Sequence, residues 1–173
     1  ALNLGMMEKI CNDYRRISKF AKACGFDGVR VHGGHGFNIQ QFISPWTNHR
    51  TDEFGGSMEN RARFPKMILE AVREGIGEDM ILELRMSAED GVDGGMEIRD
   101  MVEFCREIDK EKQILRQTIP AVLNGRGTRP RHFRISLTST GSMLSLPQKS
   151  RRQSLNPRWL SLEESMTRPL QTR

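Results

Sequence analysis

Apolar positions recur with two periods along this chain. Between residues 6 and 24, Met7, Ile10, Tyr14, Ile17, Ala21 and Cys24 fall on one helical stripe, with charges opposite, which predicts an amphipathic helix. Gly25 suits the position just past its end. The period then switches to two. Val29 and Val31 alternate with Arg30 and His32, predicting a short strand with the valines toward covering helices and Arg30 and His32 on the inner face. A long polar loop follows and closes at Gly55-Gly56-Ser57. Ser57 is a natural N-cap for the next helix, and Glu59 in its first turn favours the dipole. That helix is expected to bury Phe64, Ile68, Ala71 and Val72, and Pro65 inside it predicts a kink.

The run 80–87, MILELRMS, is nearly continuous in apolar residues, as in a strand covered on both faces. Glu83, Arg85 and Ser87 share one side of it. Residues 89–97 form a loop, and Ile98, Met101, Val102, Cys105 and Ile108 make another helical stripe. Strands alternating with helices predict an α/β fold, with a third strand due after this helix. No clear period appears there. LNGRGTRPRHFR and QKSRRQSLNPR look instead like basic linker. The reading therefore divides the chain into an ordered unit, 1–109, and an irregular basic tail, 110–173.

Charge supports the division. Residues 1–109 hold 14 Lys+Arg and 19 Asp+Glu, a net of −5; residues 110–173 hold 13 and 3, a net of +10. The three cysteines, Cys11, Cys24 and Cys105, all precede the break and fall among apolar helix positions. An odd number without C-x-x-C spacing points to reduced thiols and a cytoplasmic protein, not to a disulfide framework or a metal site. No apolar run is long enough to span a membrane.

The stretch from Gly25 to Gly56 concentrates the chemistry. It holds His32-Gly-Gly-His35, Gln41-Phe42-Ile-Ser44-Pro45 and Asn48-His-Arg50-Thr-Asp52-Glu-Phe54-Gly55-Gly56-Ser57, followed by Glu59-Asn60-Arg61. A lone loop histidine is most often a satisfied polar group, and His-x-x-His without a third ligand is a weak metal signal. Together, however, these motifs resemble the Old Yellow Enzyme family, the NADH:flavin oxidoreductases, over roughly residues 6–109. The resemblance implies part of an FMN-binding (β/α)8 barrel. A complete barrel needs about 250 residues, against 173 here. The expected fold is thus a fragment of about two βα units followed by the irregular tail.

The resemblance also implies roles. His32 and His35, at the C-terminal end of a barrel strand, would hydrogen-bond the carbonyl oxygen of an electron-poor alkene, where negative charge gathers on reduction. Arg85 would hold the pyrimidine edge of FMN. NAD(P)H would be the electron donor; an iron–sulfur cluster and FAD belong only to larger relatives. Phe37 departs from the pattern, because many relatives place a proton-donating tyrosine there. Tyr14, the only tyrosine, lies on a preceding helix. Arg50 and Asp52 are expected to pair as scaffold. If His32 and Arg85 lie level, Arg30 and Glu83 lie one layer below, and a buried pair between them is expected, since an unpaired charge there is costly.

The basic tail has a second explanation, a reading-frame shift near Asp109. Met166 has one codon, ATG, and Thr167 is ACN; read two nucleotides on, the junction gives aspartate. In that frame 158–169 permits V-A-V-A-G-G-I-N-D-P-A, which resembles the family's phosphate-binding strand. The expected function is an FMN-dependent ene-reductase acting on a small unsaturated carbonyl or thioester, with this chain weakly active or inactive. Two alternatives stay open: a flavin dehydrogenase resembling trimethylamine dehydrogenase, and a non-enzymatic protein whose tail binds nucleic acid. The tail's lack of regularly placed aromatics argues against nucleic acid as a partner. Nothing in the sequence fixes the oligomeric state.

Overall fold

The computed structural model describes residues 2–110, and beyond them the backbone of four strands. Helix α1 (Leu4–Ala23) leads into strand β1 (Gly28–His32), then helices α2 (Asn38–Ile43) and α3 (Met58–Ile76), strand β2 (Ile81–Ser87) and helix α4 (Ile98–Asp109). Strands β3 (Thr118–Leu123), β4 (Phe133–Leu137), β5 (Met143–Ser145) and β6 (Trp159–Ser161) complete a six-stranded sheet of order β5-β4-β3-β2-β1-β6. The pairs β6–β1, β1–β2 and β2–β3 are parallel, and β3–β4 and β4–β5 are antiparallel.

The helix ends follow from local chemistry. The Asn3 side chain accepts the Met6 N–H at 2.9 Å and starts α1. At the other end Gly25 adopts φ +73. Its N–H reaches Lys22 O at 3.0 Å, and the Phe26 N–H reaches Ala21 O at 3.3 Å, the paired bonds of a Schellman motif. Ser57 caps α3 as expected, accepting the Asn60 N–H at 3.3 Å. The α3 helix continues through Pro65, which is itself buried.

Helices α1 and α3 pack together where Gly75 meets Ser18; a Cβ on Gly75 would lie 2.5 Å from the Ser18 Cβ. Helix α4 packs on α3 in turn. The core between helices and sheet is built from Val29, Val31, Leu82, Leu84, Met86, Phe64, Ile68, Val72, Met101 and Phe104. The alternation predicted for β1 holds: Val29 and Val31 are fully buried, while Arg30 and His32 are half-buried.

Several expectations are corrected. The loop after β1 contains α2, whose Ile39 and Ile43 enter the core. Cys24 is exposed, because it caps α1 where the chain turns away. Ile98 is also exposed, and Phe104 takes the buried place on α4. β3 lies parallel to β2 where periodicity predicts no strand. Its sequence, TIPAVL, is a short apolar run interrupted by proline, which weakens any strand signal. Of the first basic segment read as linker, Leu123 falls in β3 and Phe133 and Arg134 in β4; the rest of it, the second segment and most of 158–169 lie outside the described residues. Among the described residues no helix is long and apolar enough to cross a membrane, and no cluster of three metal-ligating side chains occurs.

Candidate functional site

Parallel pairing brings the C-terminal ends of β1 and β2 together. The register sets His32 beside Arg85 and, one layer below, Arg30 beside Glu83. The lower pair forms the ion pair expected of it: Arg30 Nη2 donates to Glu83 Oε2 at 3.0 Å, and Arg30 Nε lies 3.0 Å from Oε1. The pair is less buried than expected, with the Glu83 side chain 11% exposed and that of Arg30 39%.

The upper layer carries the candidate chemistry. His32 Nε2 and His35 Nδ1 are hydrogen-bonded to each other at 3.0 Å, the ring centroids 4.7 Å apart. Sequence reasoning expects two N–H groups aimed at a substrate; in the structure one ring donates to the other. Burial first, then the neighbouring His35 and Arg85, push His32 down to about 4, so its ring is neutral at pH 7. The side chain of half-buried Arg85 enters no hydrogen bond or ion pair among the described residues. Phe37 packs edge-on against His32 with ring centroids 5.7 Å apart and is itself exposed.

The two glycines of His-Gly-Gly-His are required by close packing on β2. A Cβ on Gly33 would sit 2.3 Å from Met86 Sδ, and one on Gly34 would sit 3.0 Å from the backbone nitrogen of Ser87. The Gly33 N–H continues the parallel pairing with a 2.7 Å bond to Arg85 O. His35 then turns into the left-handed region at φ +57, where its N–H donates to Ser87 Oγ at 3.1 Å.

Residues missed by sequence reasoning complete the site. Gln40, on α2, accepts the Gly36 N–H through Oε1 at 2.9 Å and donates to Asp90 Oδ1 at 2.5 Å. Asp90 also accepts from Ser44 Oγ at 2.5 Å and from the Met96 N–H at 2.7 Å. Beside His35 opens a hollow of about 340 Å³, lined in part by Trp46, Ser87, Glu89, Asp90 and Val92. The only sequence signal for Gln40 and Asp90 is polarity inside otherwise apolar or glycine-rich runs.

Arg50 and Asp52 sit apart as scaffold. Arg50 donates to Asp52 Oδ1 at 2.9 Å, to Asp52 Oδ2 at 2.5 Å and to Leu2 O at 2.8 Å. Asn48 ties Phe42 O and Phe54 O together at 2.6 and 2.8 Å. The loop is thereby closed on itself.

The donor set fits a flavin. A permanent cation stands half-buried at a strand end with no carboxylate of the described residues on it, level with a neutral imidazole. Arg85 can meet an electron-rich heterocycle edge, and the histidines can meet a carbonyl oxygen placed over its face.

Known proteins are similar to this chain. The chain is 37% identical over 109 residues to an NADH oxidase of Thermoanaerobacter brockii, covering 63% of this chain and 17% of that protein. Among solved structures, a 2-naphthoyl-CoA reductase in complex with 2-naphthoyl-CoA superposes with a TM-score of 0.64 at 29% identity, over 72% of this chain and 18% of that one. Histamine dehydrogenase from Rhizobium sp. 4-9 gives a TM-score of 0.57 at 34% identity, over 60% and 15%. The chain spans between 17% and 29% of the length of curated relatives such as this NADH oxidase and the NADPH dehydrogenase of Bacillus subtilis. The model of the NADH:flavin oxidoreductase / NADH oxidase family matches residues 3–139, past the Asp109 boundary, and the chain belongs to that family.

Proposed function

We propose that the chain supplies one wall of the active site of an FMN-dependent oxidoreductase of the ene-reductase type, with residues 1–109 as an arc of a (β/α)8 barrel. Bound FMN would supply hydride transfer, from NAD(P)H to the β-carbon of an α,β-unsaturated carbonyl or thioester. Arg85 would hold the pyrimidine edge, its fixed charge favouring the electron-rich form. His32 and His35 would hold the substrate oxygen. The observation that carries this reading is the placement of His32 level with Arg85 at one end of two parallel strands, with His35 hydrogen-bonded to His32.

Geometry states what the histidines must do. An oxygen accepting from both rings needs each nitrogen at about 2.9 Å from it. The rings, now 3.0 Å apart nitrogen to nitrogen, would have to separate to admit it. Substrate would thus exchange one imidazole–imidazole bond for two bonds to its oxygen, and those strengthen as charge develops there. His32, kept neutral, would act as a hydrogen-bond donor, not as an acid.

The similarity to 2-naphthoyl-CoA reductase supports a conjugated thioester or carbonyl as the substrate class. The similarity to histamine dehydrogenase favours a second reading, oxidation of a small amine. The imidazole pair, suited to an oxygen acceptor, favours the first. The described strands form an open sheet, so FMN would be gripped from one side and held weakly by this chain.

The test is NAD(P)H consumption by this chain with FMN in excess and 2-cyclohexenone as acceptor, beside a separate assay without NAD(P)H in which histamine is the electron donor and ferricenium the acceptor. Enone-dependent turnover above the free-FMN background, lost in His35→Ala, is the expected result. Enone-dependent turnover equal to the background overturns the reading, and ferricenium reduction by histamine without enone turnover selects the second.

A further inference from the structure

Two successive residues at the site, His35 at φ +57 and Gly36 at φ +78, lie in the left-handed region. One of them is not glycine, and such a turn persists only where its surroundings hold it. Both N–H groups are held. That of His35 donates to Ser87 Oγ at 3.1 Å, and that of Gly36 to Gln40 Oε1 at 2.9 Å.

Asp90 makes the second bond one-way. Gln40 could face Gly36 with either end of its amide, but only its oxygen can accept an N–H. Asp90 receives three donors: Gln40 Nε2 and Ser44 Oγ, each at 2.5 Å, and the Met96 N–H at 2.7 Å. A carboxylate is an acceptor only. Gln40 must therefore turn its NH₂ group to Asp90, which leaves its carbonyl oxygen on Gly36. The Asp90 backbone is anchored as well, its N–H donating to Met96 O at 2.9 Å. A loop after β2 thus dictates the direction of an amide on α2, and the amide holds the turn that presents His35.

We propose that Asp90 is a positioning residue for this site. Through Gln40 it fixes the His35 turn, and with it the contact between His35 and His32, without touching the substrate. The catalytic consequence rests on the reading that His35 holds the substrate oxygen. The geometric part stands without it.

The experiment uses the whole chain as wild type, as Asp90→Asn, and as Asp90→Asn combined with Gln40→Glu. The first readout is the nitrogen–nitrogen coupling through the His32–His35 hydrogen bond, measured by NMR on isotope-labelled protein without ligand. In Asp90→Asn a donor replaces one acceptor, Gln40 reverses, and its NH₂ group opposes the Gly36 N–H. The coupling is expected to disappear while circular dichroism remains native. In the double variant the carboxylate introduced at position 40 accepts both from the Gly36 N–H and from the amide introduced at position 90, and the coupling is expected to return. The second readout is enone reduction with FMN in excess. Misplacing His35 is expected to lower kcat/KM roughly 10- to 100-fold, mostly through kcat, with recovery in the double variant.

Coupling retained in Asp90→Asn, or equally absent from the single and double variants, overturns the proposal. If Asp90→Asn does not fold, Gln40→Met removes the same amide, and loss of the coupling there is the expected result; its retention overturns the proposal. If the coupling follows the expected pattern while even the wild type reduces no enone, the positioning role stands and the proposed activity falls.

Discussion

Arg30 and Glu83 face each other across β1 and β2 in a two-point ion pair, directly beneath the level shared by His32 and Arg85. The Glu83 carboxylate is nearly enclosed, whereas the Arg30 side chain reaches solvent. Removing the carboxylate leaves a cation on the inner face of the sheet, whose partial exposure moderates the cost. Glu83→Leu is expected to lower stability by about 1–2 kcal/mol. Arg30→Met with Glu83→Leu should cost less than the two single changes summed. Urea unfolding of the four proteins measures that difference, and strict additivity would deny the coupling.

His32 gives stability a pH dependence of definite sign. Its folded value lies near 4, below the ordinary 6.5, mainly because burial disfavours the cation. The unfolded chain therefore binds more protons between those values. The contribution of neutral His32 is complete above about pH 6.5 and is lost as pH falls toward about 4. Replacing His32 with Gln should flatten the urea midpoint across that window. An unchanged slope would show that His32 does not titrate there.

Gly34 is expected to tolerate no side chain. A Cβ there would meet Ser87 Oγ at 2.9 Å and the Ser87 backbone nitrogen at 3.0 Å, so β1 and β2 would have to part. Gly34→Ala should cost about 1–3 kcal/mol. Gly5→Ala is the control, since its Cβ would meet nothing closer than 3.7 Å and alanine favours the helix. Thermal unfolding should separate the two substitutions in opposite directions.

Phe37 stands at the mouth of the site, exposed and edge-on to His32. It has no proton to give. If the proposed reaction proceeds, Phe37→Tyr places a phenol there and should raise enone turnover about 100-fold, the low end of general acid catalysis at about 10²–10⁴. Single-turnover reoxidation of the reduced enzyme by enone would report it. An unchanged rate would mean that protonation is not limiting or comes from elsewhere.

Much of this architecture was legible in the residues, for identifiable reasons. The stripe containing Met7, Tyr14 and Ala21 spans about four turns of α1, long enough for its period to be unmistakable. The alternation at Val29–His32 and the spacing of Glu83 and Arg85 predicted the two charge-bearing layers, because a side-chain period of two leaves no freedom once the register is set. Helix α2 was not legible. Its six residues are too few for a period, and Phe37 at its N-cap makes no capping hydrogen bond. The Gln40–Asp90 contact was invisible because it joins residues 50 apart in sequence, and nothing local announces such a partner. The bond between His32 and His35 was missed for another reason. Motif spacing tells which side chains meet, but not that they satisfy one another first.

The layered register of β1 and β2 also bears on how the sheet assembles. Parallel strands brought together by a crossover can pair in several offsets, and an apolar pair would discriminate poorly among them. Here a shift of two residues would set Glu83 against His32 and Arg30 against Ile81, leaving opposite charges stranded within the sheet. Misaligned chains are thereby penalised before any ligand arrives. The rung beneath the chemistry works as a proofreading device: it accepts only the alignment that also delivers His32 to Arg85.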